Sequence, residues 1–187
     1  MTFFMAFPDI VAALRRDYDL AASIKGRRIK GNGMAGLYFE EFSVGQEFVH
    51  ALSRTVTEHD NTTFSLMTMN PQPLHLDAHF AETTEWGQRL FNSYYTLAIL
   101  VGMSVYDTTL GTTIGNLGMT EVKFPKPVFH GDTLRARTRV VSLRESRSRP
   151  DAGLVEFEHT ALKQTGEIVC ICRRTAFMWK KPIAISD

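Results

Sequence analysis

The stretch that most constrains the fold is Ser93–Thr109, SYYTLAILVGMSVYDTT, which is apolar on nearly every side for about 17 residues. A surface helix shows one apolar stripe, so a run without a polar face predicts a helix buried at the centre of the molecule. Something must cover it. Four strand-like runs follow, TIGNLGMTEVKF, DTLRARTRVVSLRE, GLVEFEHTALKQ and EIVCICRRTAFMW, separated by KPVFHGD, SRSRPDAG and QTGE. An alternating, β-branched run ahead of the helix predicts one more strand over roughly 46–57. The expected class is α+β: a curled antiparallel sheet, its last four strands following in series, wrapped around one long central helix.

The 187 residues, 44% hydrophobic and 22% charged, fit one domain large enough to bury a core without a metal or a disulfide. A net charge of +1 gives no reason to expect nucleic acid or a membrane surface as partner. No run reaches transmembrane length. The N-terminus, MTFFMAFPDIVAALRRDY, has no basic start and is interrupted by Pro8 and Asp9, so no signal peptide is expected and the expected location is cytoplasmic. Cys170 and Cys172 lie in a strand-like run as C-x-C, on one face, and without a second cluster they are expected to be reduced thiols in a core.

Three segments are expected. Residues 1–36 form an N-terminal arm, with Ile10, Val11, Leu14 and Tyr18 at helical spacing, and a linker KGRRIKGNGMAG that is open to a phosphate contact but more simply a solvated loop. Residues 37–180 form the domain, and 181–187 a tail. Inside the domain, TEHDNTTFSLMTM has helical spacing, with Phe64, Met67 and Leu66 expected inward and Thr57 or Asp60 as cap. AHFAETTEW predicts a short helix capped by Asp77 and stopped by Gly87. Because Asp77 starts that helix between His75 and His79, the two histidines do not share a helical face, and no metal site is expected.

Between those helices lies MNPQPLHLDAHF, Met69 to Phe80. Pro71 and Pro73 fix φ on both sides of Gln72 and stiffen the loop. A stiff loop suits a histidine that transfers protons, which loses rate when it wanders. It equally suits a histidine that only satisfies a buried turn. The residues alone leave both readings open.

The layout resembles the hot dog fold of the MaoC-like hydratases and dehydratases, whose loop has the form D-x-N-P-x-H. Phe64 stands eleven residues before His75, which is that family's spacing, and HLDAHFAE resembles the segment that follows the family's catalytic histidine. VKFPKPVFHGDTL resembles its later strand and turn, through Phe124, Pro127, Val128, Gly131 and Asp132. The departures are specific. Asn70 stands at the family's aspartate, Gln72 at its asparagine, and Asn92 and Ser93 at the histidine–glycine pair that opens the central helix. Such choices resemble the mesaconyl-/itaconyl-CoA hydratase-type branch.

The resemblance implies an acyl-CoA hydratase or dehydratase acting at the double bond of an α,β-unsaturated thioester, the acyl group being branched or dicarboxylic. It implies His75 and Asn70 in catalysis, and Gln72, Asn92, Ser93 and Tyr94 against the substrate. Backbone N–H groups at the helix start would face the thioester oxygen. Coenzyme A would enter as part of the substrate, with no other cofactor, and the site would form in a homodimer or a multiple of dimers. An amide at position 70 cannot accept a proton, so Asp77, Glu58, His59, Asp60 and Tyr94 are candidates to replace the carboxylate. A distal carboxylate on the substrate would seek Lys123, Lys126, Arg89 or Arg54, and Arg144, Arg147 and Arg149 could meet coenzyme A phosphates. The alternatives are an acyl-CoA thioesterase and a non-catalytic acyl-CoA-binding protein of the same fold.

Overall fold

A computed structural model of the chain describes residues 36–182. The expected arm helix and basic linker lie outside the described residues. Five strands, β1 Glu47–Thr55, β2 Thr113–Lys123, β3 Thr133–Glu145, β4 Ala152–Leu162 and β5 Ile168–Trp179, form one antiparallel sheet. Four helices lie between β1 and β2: α1 Glu58–Met67, α2 Pro73–Leu76, α3 Ala78–Glu82 and the long α4 Ser93–Thr108. The α+β class, the five strands and the central helix stand as the sequence predicts.

The order across the sheet is β1-β3-β4-β5-β2. A plain series of hairpins would put β2 beside β3, but β2 pairs with β5 at the far edge. The connection from β2 to β3 contains Pro125 and Pro127, which cannot donate to a ladder. It crosses the start of α4 instead, where Phe91 N–H donates to the Val128 carbonyl at 2.9 Å and Leu90 bridges Phe129. Gly131, at φ +92°, closes the turn, and the Asp132 carboxylate accepts from Phe129 N–H at 2.9 Å. Burial alone would raise the Asp132 carboxyl, but hydrogen bonds from Phe129, Lys163 and Gln164 outweigh it and hold it below its ordinary value.

Alternation on β3, β4 and β5 puts one face inside, and that face carries two apolar clusters. One packs Leu134, Ala136, Ala161, Val169, Cys170 and Cys172 against Leu100 and Met103 of α4. Burial pushes both thiols up, Cys170 to about 12 and Cys172 to about 11, so they sit there as small apolar groups. The other cluster packs Val140, Val155, Phe157, Ala176 and Met178 under Phe39 and Phe42 of a 3₁₀ turn. Gly153 lets that turn close, because a Cβ there would stand 2.3 Å from the Phe39 ring.

Between the clusters runs a buried polar row. Arg174 Nε–H donates to His159 Nε2 at 3.2 Å, so His159 carries its proton on Nδ1 and donates to Thr138 Oγ1 at 2.8 Å. The Thr138 hydroxyl then donates to His50 Nε2 at 2.7 Å, and His50 Nδ1–H donates to Asp107 Oδ2 at 2.6 Å. Every link points the same way, from the guanidinium on β5 to the carboxylate near the end of α4. Arg174 Nη2 has no hydrogen-bond partner among the described residues, and the guanidinium lies over the Phe157 ring at 5.5 Å.

Three expectations fail in detail. α4 is not covered on all sides: Thr96, Leu100, Met103, Ser104 and Thr108 are buried, but Tyr94, Ala98, Gly102 and Tyr106 form an open stripe at four-residue spacing. The sheet packs on one side of a helix and cannot reach the other. α1 inverts the usual pattern, with Asp60, Asn61 and Ser65 buried while Leu66 is 63% and Met67 79% exposed. Its polar face bonds inward and so takes the buried side; only Phe64 packs as expected, half-buried and stacked on Tyr95 at 4.6 Å. α3 ends at Glu82, five residues before Gly87, because Thr83 and Thr84 turn their hydroxyls back onto the Phe80 and Ala81 carbonyls.

Candidate active site

The site is built from α1 upward. Thr57 Oγ1 accepts from Asp60 N–H at 3.1 Å and Asp60 Oδ2 accepts from Thr57 N–H at 2.9 Å, a reciprocal capping box. Burial would raise the Asp60 carboxyl, but the bonds from Thr57 and Arg54 hold it low. After α1, Met69 turns the chain at φ +53° and Asn70 N–H donates to the Ser65 carbonyl at 2.8 Å. Asn70 Oδ1 accepts from Gln72 N–H at 3.1 Å, which shapes the loop and leaves the Asn70 NH₂ for other partners. Pro73 stands at the first position of α2, where its fixed φ suits a helix start.

His75 is half-buried on that turn. Its Nδ1 lies 2.9 Å from the Leu90 carbonyl. A carbonyl only accepts, so Nδ1 carries the proton and Nε2 is the lone-pair nitrogen. Leu90 stands just before α4 and lines a cavity of about 210 Å³ with Phe91, Ser93, Thr96, Phe124, Lys126 and other apolar residues. The cavity thus reaches the start of α4 and the residue that fixes the His75 tautomer.

Asn92, not Ser93, caps α4: its Oδ1 accepts from Tyr94 N–H at 3.0 Å. Its Nδ2 donates to Ser65 Oγ at 3.2 Å and its N–H to Asn61 Oδ1 at 2.8 Å. The buried Asn92 therefore holds the helix start to α1, and the Tyr94 N–H is occupied. Ser93, at the first position of the helix, has no partner for its N–H among the described residues and lines the cavity. The Tyr94 side chain is 68% exposed and Gln72 is exposed.

Most of the other candidates have partners of their own. Asp77 caps α3 through Phe80 N–H at 3.0 Å. Glu58 pairs with Arg89 at 2.6 Å, and Arg54 pairs with Asp60 at 2.5 Å. The Arg89 bond and charge hold the Glu58 carboxyl below its ordinary value. His59 is exposed, 3.5 Å from Thr63 Oγ1. Arg149 binds Asp151 at 2.7 Å and lies over the Trp179 ring at 4.5 Å. Lys126 lines the cavity, and Lys123 ends β2 in the open.

Two residues of this region escape a sequence reading. Asn61 is 0% exposed, and its Nδ2 lies 3.1 Å from the His75 carbonyl, 2.9 Å from the Leu90 carbonyl and 3.0 Å from His130 Nε2. His130, inside the VFHGD turn, is half-buried with its ring edge-on to Phe91. Burial and then the Arg89 charge push its imidazolium below the ordinary value, against Glu58. Asn61 lies in a run of polar residues, EHDNTTFS, which carries no sign of burial. His130 is one of six histidines, and only its place in the turn marks it.

The comparisons with known proteins agree with this geometry. The model of the MaoC like domain family matches residues 40–161. A mesaconyl-CoA hydratase of Cereibacter sphaeroides is 30% identical over 150 residues, covering 80% of this chain and 43% of that protein. The chain therefore spans less than half the length of this curated relative. The crystal structure of a MaoC-like dehydratase from Rhodospirillum rubrum, 27% identical, superposes with a TM-score of 0.70 over 79% of this chain and all of that one. A Mycobacterium tuberculosis protein described as a double hot dog fold superposes with a TM-score of 0.72 at 25% identity, over 82% of this chain and 47% of that one. The antiparallel sheet and its central helix are a hot dog domain, and the chain belongs to the MaoC-like family of hydratases and dehydratases.

Proposed function

We propose that the protein adds water to, or removes it from, the double bond of an α,β-unsaturated acyl-CoA, with His75 as acid and base. The observation that carries this reading is the His75 ring. Its Nδ1–H is fixed on the Leu90 carbonyl, so Nε2 keeps its lone pair for a water. In the forward direction Nε2 takes a proton from water as the oxygen bonds to Cβ. The double-bond electrons move to the thioester oxygen, which gains negative charge. The Ser93 N–H and the positive end of α4 stabilise that charge. Nε2–H then returns its proton to Cα and the thioester is restored, with one water consumed and no other reactant.

This route needs one proton-transfer group, which answers the amide at position 70. Asn70 takes no proton; its NH₂ and the side chain of Gln72 hold the water or the substrate carbonyl. Tyr94 and Asn92 shape the helix start around the thioester. The named relative acts on mesaconyl-CoA. A branched or dicarboxylic acyl group would fit here with its distal carboxylate against Lys126, the cation that lines the cavity.

The protein works as a homodimer or a multiple of dimers in this proposal. β2 is an edge strand with Leu117 58% exposed, and α4 has its open stripe. A second copy pairing along β2 would cover the edge. Sedimentation should give at least twice 21.1 kDa; a monomer at working concentration would refute the dimer.

The test of the activity is a panel of crotonyl-, mesaconyl-, itaconyl- and longer enoyl-CoA esters, followed by loss of the conjugated thioester absorbance. Hydration of at least one ester is expected, without release of free thiol. Lys126→Ala should raise KM for the dicarboxylic esters and leave crotonyl-CoA unaffected. Thiol release would mean a thioesterase, and binding without turnover an acyl-CoA-binding protein.

A further inference from the structure

We infer that Asn61 is the positioning residue of the site: one buried amide fixes the His75 segment against the start of α4. The inference rests on the proposed role of His75. Asn61 sits in the first turns of α1, so a rigid and doubly capped helix carries it. Its Oδ1 accepts the Asn92 N–H at 2.8 Å, which sets where α4 begins and hence where the Ser93 N–H points. Its Nδ2 donates to the His75 carbonyl at 3.1 Å and the Leu90 carbonyl at 2.9 Å. The Leu90 carbonyl is also the acceptor of His75 Nδ1–H, so Asn61 holds both the backbone of the histidine and the group that chooses its tautomer.

His130 closes the arrangement. The two carbonyls and the Asn92 N–H fix the amide with Oδ1 toward Asn92, so His130 Nε2, 3.0 Å from Asn61 Nδ2, accepts from it. Two N–H hydrogens thus serve three acceptors around one side chain that touches no solvent. Among the described residues no other side chain bonds both the His75 carbonyl and the Asn92 N–H. Asn61 need not touch the substrate; it acts through His75 and Ser93. A displacement of about 1 Å between a base and an oxyanion donor is enough to cost a large rate factor.

Two variants test this. Asn61→Asp keeps the shape but places an acceptor against two carbonyls; Asn61→Ala removes all four bonds. Each should lower kcat by roughly 30- to 100-fold at a temperature where melting curves show it fully folded, with KM within about threefold of wild type. Leu66→Ala, on the exposed side of the same helix, should leave both constants unchanged. A second readout does not depend on turnover. Long-range ¹H–¹⁵N spectra should show His75 fixed with its proton on Nδ1 in the wild type, and as a mixture of tautomers in Asn61→Ala. Folded variants that keep both the wild-type kcat and a fixed His75 tautomer would overturn the inference. If the wild type turns over no enoyl-CoA, the proposed reaction fails and the tautomer alone decides the role of Asn61.

Discussion

At the start of α4, Asn92 binds Asn61 and Ser65, and Asn61 binds two carbonyls, yet the Ser93 N–H borders a cavity and His75 Nε2 has no hydrogen-bond partner among the described residues. Near its end, Asp107 receives a row of four side chains, His50, Thr138, His159 and Arg174, in which each ring nitrogen and the hydroxyl is used within the row. Both systems are buried, both tie the helix to its surroundings, and both contain two histidines. The difference lies in what they leave over. The closed row separates two apolar clusters and holds the sheet to the helix; its ring nitrogens are spent within it, and it nears solvent at Asp107, whose side chain is 21% exposed. The open system ends in a ring nitrogen and an N–H that have no hydrogen-bond partner among the described residues. The number of titratable residues does not set the two ends apart; the unspent lone pair does.

Cutting the closed row should cost stability and nothing else. Thr138→Val keeps the shape but leaves His50 Nε2 and His159 Nδ1 without a partner in the core, a loss of about 2–6 kcal/mol at roughly 1–3 kcal/mol per unmet group. Urea unfolding should show that loss, while kcat per folded molecule stays within about twofold of wild type. A large fall in kcat with unchanged stability would erase the contrast between the two ends.

Acid should act on the closed row next. Burial and then the Arg174 charge hold His159 well below its ordinary value of 6.5. The unfolded chain therefore binds a proton that the folded one refuses. The contribution is complete above about 6.5 and is lost as pH falls, at about 1.4 kcal/mol per pH unit for this one group. His130 acts in the same direction. Asp60 and Asp132, held low, lose their contributions only below their ordinary 3.8, so the window from pH 7 to 5 belongs to the histidines. Unfolding measured across that window should show stability falling with acid; a flat profile would contradict the neutral row.

A smaller effect sharpens the comparison at the open end. Thr57→Ala removes one half of the capping box on α1, worth about 1 kcal/mol. Because α1 carries Asn61, kcat should fall modestly with it, whereas Thr138→Val leaves kcat alone.

Much of this was legible in the chain. β-branched alternation gave the strands, the apolar run gave α4, and Thr57 and Asp77 cap the helices they precede, with Asp60 completing the Thr57 capping box from inside α1. The seat of β2 beside β5 was not legible, because strand pairing over fifty residues leaves no local mark. The face of α1 misled for a physical reason: Leu66 and Met67 look like core, but Asn61 and Ser65 have bonds to make inside. Of the candidate site, His75 and its stiff loop stood out in the chain as the proposed centre. Asn61 could not, since an amide in a polar run becomes informative only when its partners from residues 75, 90, 92 and 130 come together.

The most direct measurement is turnover of the best enoyl-CoA ester by wild type and His75→Ala, each with a melting curve. The account predicts a loss of about 10²- to 10⁴-fold in kcat with the melting temperature nearly unchanged, since the ring makes one bond to a carbonyl and packs no core. A His75→Ala protein that hydrates the ester as fast as wild type would contradict it.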